Sequence, residues 1–427
     1  MIKTIVYPAK KEWGKLTARP EIRKIALDNL VFEIINDVRK NGDRALRKFS
    51  REFDGLSLDE FKVSAKEIKA ASGNVSYELK EAINLAKRNI EKFHSNQIRS
   101  EKVIETVPGV SCWRKNVPVE SAGLYIPGGT APLFSTILML AVPAKIAGCE
   151  RVVLCTPPAR DGKINPVLLY TAFITGVTEI YKIGGAQAIA AMAYGTESVP
   201  AVCKIFGPGN QYVTRAKQLI QLDGIAIDMP AGPSEVLVIA DKSAKPSFVA
   251  ADLLSQAEHG TDSQVVLLTD NKELLEKVNT EIDAQIESLP RKKIALEALE
   301  SSFSVLLRNR EECIEFSNLY APEHLIIATS NAVKLSEKVR NAGSVFIGNY
   351  SCESAGDYAS GTNHTLPTNG YAKSYSGVST ESFMKKISFQ QITSKGLKKI
   401  GKTIELMAEA EQLIAHSNAV KIRLKNI

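Results

Sequence analysis

The stretch Glu-Ile-Tyr-Lys-Ile-Gly-Gly-Ala-Gln-Ala at 179–188 indicates the fold class most directly. A short, mostly apolar strand over 179–183 ends in two glycines, and a helical pattern starts from about residue 187. The same order returns at 203–206, where a second short strand is followed by glycines and by a helix over 211–222. Strands that end in glycine turns and open helices are typical of βαβ units, so we predict parallel sheets.

The alternation of strands and helices continues on both sides of this stretch. A helix is predicted over 247–259, because Pro246 suits the first helical position and Gly260 follows the end. Further strands are predicted at 152–156, 265–269, 325–328 and 345–347. Outside these units the pattern is mostly helical, with helices over 22–49, 78–93 and 397–415 and a strand or hairpin over 107–117.

These elements predict an α/β fold with two incomplete, Rossmann-like parallel-sheet units and a helical C-terminal tail. A chain of 427 residues is long enough for two such cores. No internal repeat relates the two units in sequence, although they could still be related in fold. The predicted boundaries are an N-terminal helical segment at 1–25, a discontinuous first α/β domain at 26–121 and 235–378, a second α/β domain at 122–234 and the tail at 379–427.

Composition argues against two classes of partner. The net charge of +7 is mild for this length and no long block of like charge occurs, so we expect no nucleic-acid surface. The longest apolar run, 131–144, is shorter than a membrane span and contains Pro132 and Pro143, so we expect no membrane segment.

The chain start and the cysteines predict a cytoplasmic protein. Residues 1–11 lack the apolar region and the cleavage site of a signal peptide. The six cysteines form no Cys-x-x-Cys pair, and we expect free, mostly buried thiols of a reducing compartment. A nucleophilic cysteine is the rarer alternative. The cysteines are Cys112, Cys149, Cys155, Cys203, Cys313 and Cys352.

Histidine is scarce, and its placement gives the first sign of chemistry. All five histidines lie beside or near polar residues, and two of them directly follow a glutamate. Any one of them is more often structural or solvated than functional, but several in such settings point together to a site. They are His94, His259, His324, His364 and His416.

Gln256 and His259 are candidates for a metal site. They lie three residues apart near the end of one predicted helix, so both side chains can reach a common ion. Asp357, in a predicted loop, and His416, at the end of the last helix, could complete a set of nitrogen and oxygen ligands for zinc. On spacing alone an exposed polar helix end and a solvated turn aspartate explain these residues better.

Glu323 and His324 are adjacent, and an acid beside an imidazole suits proton transfer at neutral pH. A loop salt bridge before the next strand explains the pair equally well. The glycine turns at 126–129, 184–187 and 206–210 could admit an anion or nucleotide to a helix N-terminus, or could be plain tight turns. No Gly-x-Gly-x-x-Gly dinucleotide motif is present.

These segments resemble the histidinol dehydrogenase family, closely from residue 123 to residue 420 and more loosely before that. Many long stretches in the right order make the resemblance highly specific. They are Gly-Leu-Tyr-Ile-Pro-Gly-Gly at 123–129, Gly-Gly-Ala-Gln-Ala at 184–188, Gly-Pro-Gly-Asn at 207–210, Asp-Met-Pro-Ala-Gly-Pro-Ser-Glu at 228–235, Leu-Leu-Ser-Gln-Ala-Glu-His-Gly at 253–260, Ala-Pro-Glu-His-Leu at 321–325, Gly-Thr-Asn-His-Thr-Leu-Pro-Thr at 361–368 and Glu-Ala-Glu-Gln-Leu-Ile-Ala-His at 409–416.

The resemblance implies an oxidoreductase of histidine biosynthesis that converts histidinol to histidine through histidinaldehyde and reduces two NAD. It implies Glu323 and His324 as the proton-transfer pair, and one zinc ion per subunit. The implied zinc ligands are Gln256, His259, Asp357 and His416, and these four residues and His324 also contact the substrate. The other implied substrate residues are Ser234, Tyr358, His364 and Glu411. The implied NAD contacts, in the second domain, are Tyr125, Gln187 and Asn210.

The resemblance also implies a homodimer with shared active sites, in which the tail carrying His416 reaches across. Two positions depart from the family, Gln412 and Asn369, where glycine is usual; neither is an implied site residue. A zinc hydrolase using the same metal and Glu323 without NAD is the rival enzyme. The intact candidate residues argue against a second rival, a binding protein without activity.

Overall fold

The described residues form three sheets. The computed structural model describes residues 2–19, 25–98, 101–128, 131–230 and 232–427. Its strands are β1 (Lys3–Val6), β2 (Ile104–Val107), β3 (Val110–Pro118), β4 (Ser121–Tyr125), β5 (Arg151–Thr156), β6 (Glu179–Lys182), β7 (Lys204–Phe206), β8 (Ala226–Ile227), β9 (Glu235–Ala240), β10 (Gln264–Thr269), β11 (Phe303–Leu306), β12 (His324–Ala328), β13 (Ser344–Ile347) and β14 (Met384–Ile392).

Helices connect and cover these strands. They are α1 (Trp13–Leu16), α2 (Ile25–Phe49), α3 (Ala65–Gly73), α4 (Tyr77–Ser95), α5 (Phe134–Ala147), α6 (Pro166–Thr175), α7 (Gly185–Tyr194), α8 (Gln211–Ile220), α9 (Pro246–Ala257), α10 (Lys272–Gln285), α11 (Lys292–Glu300), α12 (Arg310–Tyr320), α13 (Ala332–Ser336), α14 (Glu353–Tyr358), α15 (Ser394–Ala410) and α16 (Ile414–Leu424).

Two of the sheets are parallel and share one strand order. Sheet A runs β1-β11-β10-β9-β12-β13, and sheet B runs β6-β5-β4-β7-β8. If β1 is set aside and the strands of each sheet are numbered in chain order, both sheets have the spatial order 3-2-1-4-5. The predicted α/β fold with two Rossmann-like parallel-sheet units is confirmed, and the open question of a shared fold is answered by this common order.

The central strands of both sheets are buried because helices cover both faces. Every residue of β4, β9 and β12 is buried, and their sequences are mostly apolar without alternation, as parallel strands require. The apolar run at 131–144 falls mainly on α5, which is buried nearly all around and contains Pro143. Among the described residues, no helix is long and apolar enough to cross a membrane.

The first helices pack against sheet B, not against sheet A. α2 lies on α7 and α8, α3 on α6, and α4 on α5. The predicted grouping of 26–121 with 235–378 in one discontinuous domain stays a prediction. An amphipathic pattern shows that a helix buries one face, but it carries no information about which sheet covers that face.

The N-terminal segment contributes a strand to sheet A. β1 pairs in parallel with β11, so the segment predicted as helical begins with a strand, which is followed among its described residues by the short helix α1. Residues 20–24, within the same predicted segment, lie outside the described residues.

The predicted tail contains a strand before its helices. β14 pairs along its full length with β3, and β2 completes this antiparallel third sheet. The helix predicted over 397–415 is two helices, α15 and α16, because Gln412 has a φ of 61° that no helix can continue through. The predicted helical character of the tail is otherwise confirmed.

Candidate active site

Glu323 and His324 lie where β12 begins, and both are buried, with 5% and 4% of their surfaces exposed. The neighbouring strand β9 holds both side chains. The N–H of Glu235 donates to Oε2 of Glu323 over 2.9 Å, and Nδ1 of His324 lies 3.2 Å from the carbonyl oxygen of Glu235. A proton on Nδ1 therefore has an acceptor, which leaves Nε2 free to take a proton from a ligand.

Helix α14 brings two further carboxylates to His324. Oε1 of Glu353 lies 3.7 Å from Nδ1, and Oδ1 of Asp357 lies 3.6 Å from Nε2. The loop predicted around Asp357 is wrong, because Glu353–Tyr358 is a short helix with both acids on one face. Gly356, which signals a turn in the sequence, instead permits close packing, since a Cβ there would lie 2.6 Å from the ring of Phe346.

The end of α9 supplies the remaining candidate ligands. Gln256 is on the last turn and fully buried, and His259 follows just past the helix end and is exposed. One ligand atom each of His259, Glu353 and Asp357 lie within 4.8 Å of one another.

Several buried polar atoms of this cluster have no hydrogen-bond partner in the protein. They include both amide atoms of Gln256, Oδ1 of Asp357, Oε2 of Glu353 and Nε2 of His324. Burying such atoms without a partner is costly, so their convergence indicates a polar or ionic ligand. Imidazole nitrogen with carboxylate and amide oxygen is a donor set that zinc accepts, so these residues fit a metal ion.

The electrostatics of the cluster favour a cation. Burial raises the pKa of Glu323 to about 8 and also raises the pKa of Glu353. Burial lowers the pKa of His324, but the carboxylates of Glu353, Glu323 and Asp357 outweigh it and raise that pKa to about 10. Three acids thus surround one imidazole, and a positive charge among them relieves their mutual repulsion.

Three predicted substrate residues border this cluster. Ser234 directly precedes β9 and is partly buried, and Tyr358 ends α14 with half of its surface exposed. His364 joins the two sheet units: its Nδ1 lies 3.0 Å from the carbonyl oxygen of Asp357, and its Nε2 lies 3.2 Å from Oγ1 of Thr136 on α5. The cluster therefore lies at the junction between the two units.

Glu411 and His416 are not part of this cluster within one chain. Both are exposed on the tail, and their backbone N–H groups donate to Met407 and Leu413 of the same tail. The structure of a single chain thus brings together three of the four predicted zinc ligands and leaves His416 apart.

The predicted NAD contacts lie together at the carboxyl ends of sheet B strands. Tyr125 ends β4, and its hydroxyl accepts a hydrogen bond of 3.0 Å from the N–H of Gly185 at the start of α7. Gln187 is buried, with no partner for its Oε1, and Asn210 caps α8 by accepting from two backbone N–H groups. Gly129, in the first glycine turn, lies outside the described residues.

Comparisons with known proteins agree on one family. The histidinol dehydrogenase family model matches residues 17–424. A histidinol dehydrogenase from Bacteroides thetaiotaomicron is 58% identical over 427 residues, covering 100% of both chains, and one from Escherichia coli is 52% identical over 424 residues, covering 97% of both. The chain belongs to the histidinol dehydrogenase family. A crystal structure of the enzyme from Elizabethkingia anophelis superimposes with a TM-score of 0.98 at 56% identity, covering 100% of this chain and 98% of that chain.

Sequence reasoning missed Glu353 in this member of the histidinol dehydrogenase family. The available signal was its spacing of four from Asp357, which places both acids on one helical face. That signal was hidden because the segment was interpreted as a loop.

Sequence reasoning also missed the ion pair of Lys217 and Asp228, which is buried beside the cofactor candidates. Lys217 Nζ donates to the carbonyl oxygen of Gly207 over 2.8 Å, and Asp228 accepts from the Gly207 N–H over 2.8 Å. The pair braces the glycine turn that leads to Asn210. No sequence pattern predicts this contact, because the two residues lie on separate elements.

Proposed function

We propose that this chain oxidises L-histidinol to L-histidine through histidinaldehyde in two successive steps, each reducing one NAD. The proposal rests on the buried Glu323–His324 pair, which lies beside buried nitrogen and oxygen atoms that have no hydrogen-bond partner, in a chain of the histidinol dehydrogenase family. The comparisons give the alternative of a zinc hydrolase no support.

His324 is the proposed base for the alcohol step. In its neutral form, with the proton on Nδ1 directed at the carbonyl oxygen of Glu235, the ring would take the hydroxyl proton on Nε2, and a bound NAD would accept the hydride. Glu323 is the proposed base for the aldehyde step. Its carboxylate takes a proton from the water that adds to the aldehyde carbon, and the hydrate then gives up the second hydride.

Gln256, His259 and Asp357 would hold a zinc ion, with Glu353 adjacent and His416 from a second copy of the chain. When bound, zinc supplies a Lewis acid that orients the imidazole and amino nitrogens of histidinol. Ser234, Tyr358, His364 and, from the second copy, Glu411 would line the substrate pocket.

NAD would bind along the carboxyl edge of sheet B, in the unit of residues 122–234, against Tyr125, Gln187 and Asn210. The N-termini of α7 and α8 face this edge, and their helix dipoles favour a pyrophosphate. The unpartnered Oε1 of Gln187 is available to a ligand donor. We place the reaction in the cytoplasm, where NAD is supplied.

A homodimer with shared sites would complete each metal centre. The support is the exposure of His416 together with exposed apolar side chains on the same tail, which a second copy would cover. Those side chains are Leu406, Met407, Leu413 and Ile414. Mixing inactive His259→Ala and His416→Ala chains should restore part of the activity, because one site of each heterodimer carries neither change. No recovery after verified subunit exchange contradicts a shared site.

The experiment that tests the function is the stoichiometry of NADH formed per histidinol consumed. Two NADH per histidinol, with histidine as product, is the expected result. Formation of only one NADH, or consumption of histidinol without NADH, contradicts the proposal. His324→Asn provides the matched negative control, because it keeps a polar side chain of similar size at the start of β12.

A further inference from the structure

A buried arginine–glutamate pair lies directly behind the proposed catalytic pair. Nε of Arg19 donates to Oε1 of Glu235 over 3.0 Å, and Nη2 donates to Oε2 over 2.6 Å. The two side chains are only 10% and 4% exposed. A two-pronged contact of this kind fixes both the position and the orientation of the carboxylate.

Arg19 is itself held in place by residues that follow α1 and end α12. Nη1 donates to the carbonyl oxygen of Thr17 over 2.8 Å, and Nη2 donates to that of Tyr320 over 3.2 Å. The guanidinium stacks on the ring of Tyr320, 3.4 Å from its centroid. Tyr320 ends α12, three residues before Glu323, so Arg19 contacts both the neighbouring strand β9, through Glu235, and the connection that leads to the proposed catalytic pair.

Glu235 contacts both proposed catalytic residues through its backbone. Its N–H donates to Glu323, and its carbonyl oxygen faces Nδ1 of His324. Its side chain also accepts from the N–H of Asn369 over 2.6 Å. One residue therefore connects Arg19, Glu323 and His324, and a change in its position moves both proton-transfer groups together.

A buried ion pair contributes little net stability compared with apolar packing of similar volume, whereas it does restrict geometry. We propose that Arg19 and Glu235 are positioning residues that hold Glu323 and His324 in the orientation needed for proton transfer. The inference rests on the proposed function for its kinetic consequence, but its structural consequence, the orientation of His324, is independent of the substrate.

The other end of β9 provides a matched control. Asp241, just past that strand, is buried and pairs with Arg310 at 3.2 Å. Arg310→Met, at the start of α12, therefore removes the arginine that pairs with an acid at the end of β9 away from Glu323. Arg19→Met and Glu235→Gln, the near-edge variants, disrupt the pair at the end of β9 beside Glu323. Arg19→Lys keeps the positive charge but not the two-pronged contact.

The kinetic test compares kcat and KM of these variants. We expect Arg19→Met and Glu235→Gln to lower kcat by roughly 10–100-fold, as is usual for residues that orient functional groups, with KM for histidinol and NAD within about threefold. Arg19→Lys should recover part of kcat, and Arg310→Met should retain it. Equal losses of kcat in Arg19→Met and Arg310→Met, or kcat within twofold of the unchanged protein in both near-edge variants, overturn the inference.

The second test reports on His324 without using activity. The chain has five histidines, so selective nitrogen-15 labelling gives few imidazole signals, and that of His324 is identified by its loss in His324→Asn. We expect the nitrogen-15 chemical shifts of the His324 ring, which report its protonation at Nδ1, to change in Arg19→Met and Glu235→Gln but not in Arg310→Met. An unchanged signal in the near-edge variants contradicts the inference even if histidinol is not the substrate. Absence of NADH formation in the unchanged protein contradicts only the proposed function.

Discussion

Sheets A and B have the same strand order, but their candidate sites lie at opposite edges. In sheet B, Tyr125 ends β4 and Asn210 follows β7, the first and fourth strands. In sheet A, Glu235 and His324 begin β9 and β12, the strands in the corresponding places. Ligands of open parallel sheets usually bind at the carboxyl ends beside these two strands, so sheet B follows the rule and sheet A departs from it.

The carboxyl edge of sheet A is closed by one of the chain's own acids. Asp241 follows β9 and accepts hydrogen bonds from the N–H groups of Ser243 and Ser330, at 2.9 and 3.0 Å, as well as pairing with Arg310. A carboxylate therefore occupies the position where a ligand phosphate would lie. At the corresponding place in sheet B, Gly184 and Asn210 stand at the N-caps of α7 and α8, so no acid occupies these helix N-termini.

The partial charges at the helix ends explain why the carboxyl edge of sheet B and the amino edge of sheet A suit the different ligands proposed for them. The carboxyl edge of sheet B faces the N-termini of α7 and α8, which carry partial positive charge and favour phosphate. The amino edge of sheet A faces the C-terminus of α9, which carries partial negative charge and favours a cation near Gln256 and His259. One topology thus provides a helix-end charge that favours an anion at one edge and a helix-end charge that favours a cation at the other.

Removal of the metal should give the largest effect and should be confined to the edge of sheet A. We expect a chelator to lower turnover by at least about 10³-fold, because a metal template contributes several kcal/mol to the transition state. The circular dichroism spectrum and NAD binding, measured by fluorescence titration, should remain. Unfolding on chelation would show that the metal is structural, and loss of NAD binding would show that the two edges are not independent.

Glu323→Gln should separate the two oxidations. The amide keeps the size of the side chain and can still contact the N–H of Glu235, but it cannot take a proton from water. We expect oxidation of added histidinaldehyde to slow by about 10²–10⁴-fold, the usual cost of losing a general base, and the first hydride transfer from histidinol to slow far less. Single-turnover NADH formation from each substrate measures both steps. Equal slowing of the two oxidations would contradict the role of Glu323 as the base that activates water.

The sequence predicted the two sheets because their signals are local. A glycine after a short apolar strand marks the turn into the next helix, as at Gly184 and Gly207. The sequence did not predict which sheet covers α2, α3 and α4, since that depends on contacts between distant elements.

The candidate site shows the same limit. The resemblance named Gln256, His259 and Asp357, which the fold brings close together. Glu353 was missed because a loop was predicted around Asp357, whereas Glu353–Tyr358 is a short helix. Pairs such as Arg19 with Glu235 join residues 216 positions apart, and no periodic pattern records such contacts.

Tyr125→Phe should affect only the edge of sheet B. The change removes the acceptor of the Gly185 N–H, and leaving a partly buried donor without its partner costs about 1–3 kcal/mol. We expect KM for NAD to rise about tenfold, which corresponds to about 1.4 kcal/mol, with zinc content and KM for histidinol unchanged. A rise in KM for histidinol alone would contradict the assignment of this edge to NAD.

Asp241→Asn is the matched control for that prediction at the carboxyl edge of sheet A. It should leave KM for NAD unchanged and lower the free energy of unfolding by about 1–3 kcal/mol. Burial raises the pKa of Asp241, but hydrogen bonds from Ser243 and Ser330 outweigh it and lower that pKa below its ordinary value. The stability difference between the two proteins should therefore be full above pH of about 4 and disappear as pH falls through the lowered pKa.

Gln412→Gly should give the smallest effect and should leave both edges unchanged. Gln412 has a φ of 61° between α15 and α16, and a left-handed conformation costs a residue other than glycine about 1–2 kcal/mol. Part of that gain is offset because glycine is more flexible in the unfolded chain, so we expect a net stabilisation of about 0.5–1 kcal/mol. For a chain of this length the midpoint temperature in calorimetry should rise by about 1 °C. Asn369→Gly is the control: Asn369 also has a positive φ, of 55°, but asparagine tolerates that conformation well, so its midpoint should hardly move. A lower midpoint for Gln412→Gly would mean that the glutamine side chain stabilises the tail more than its backbone strains it.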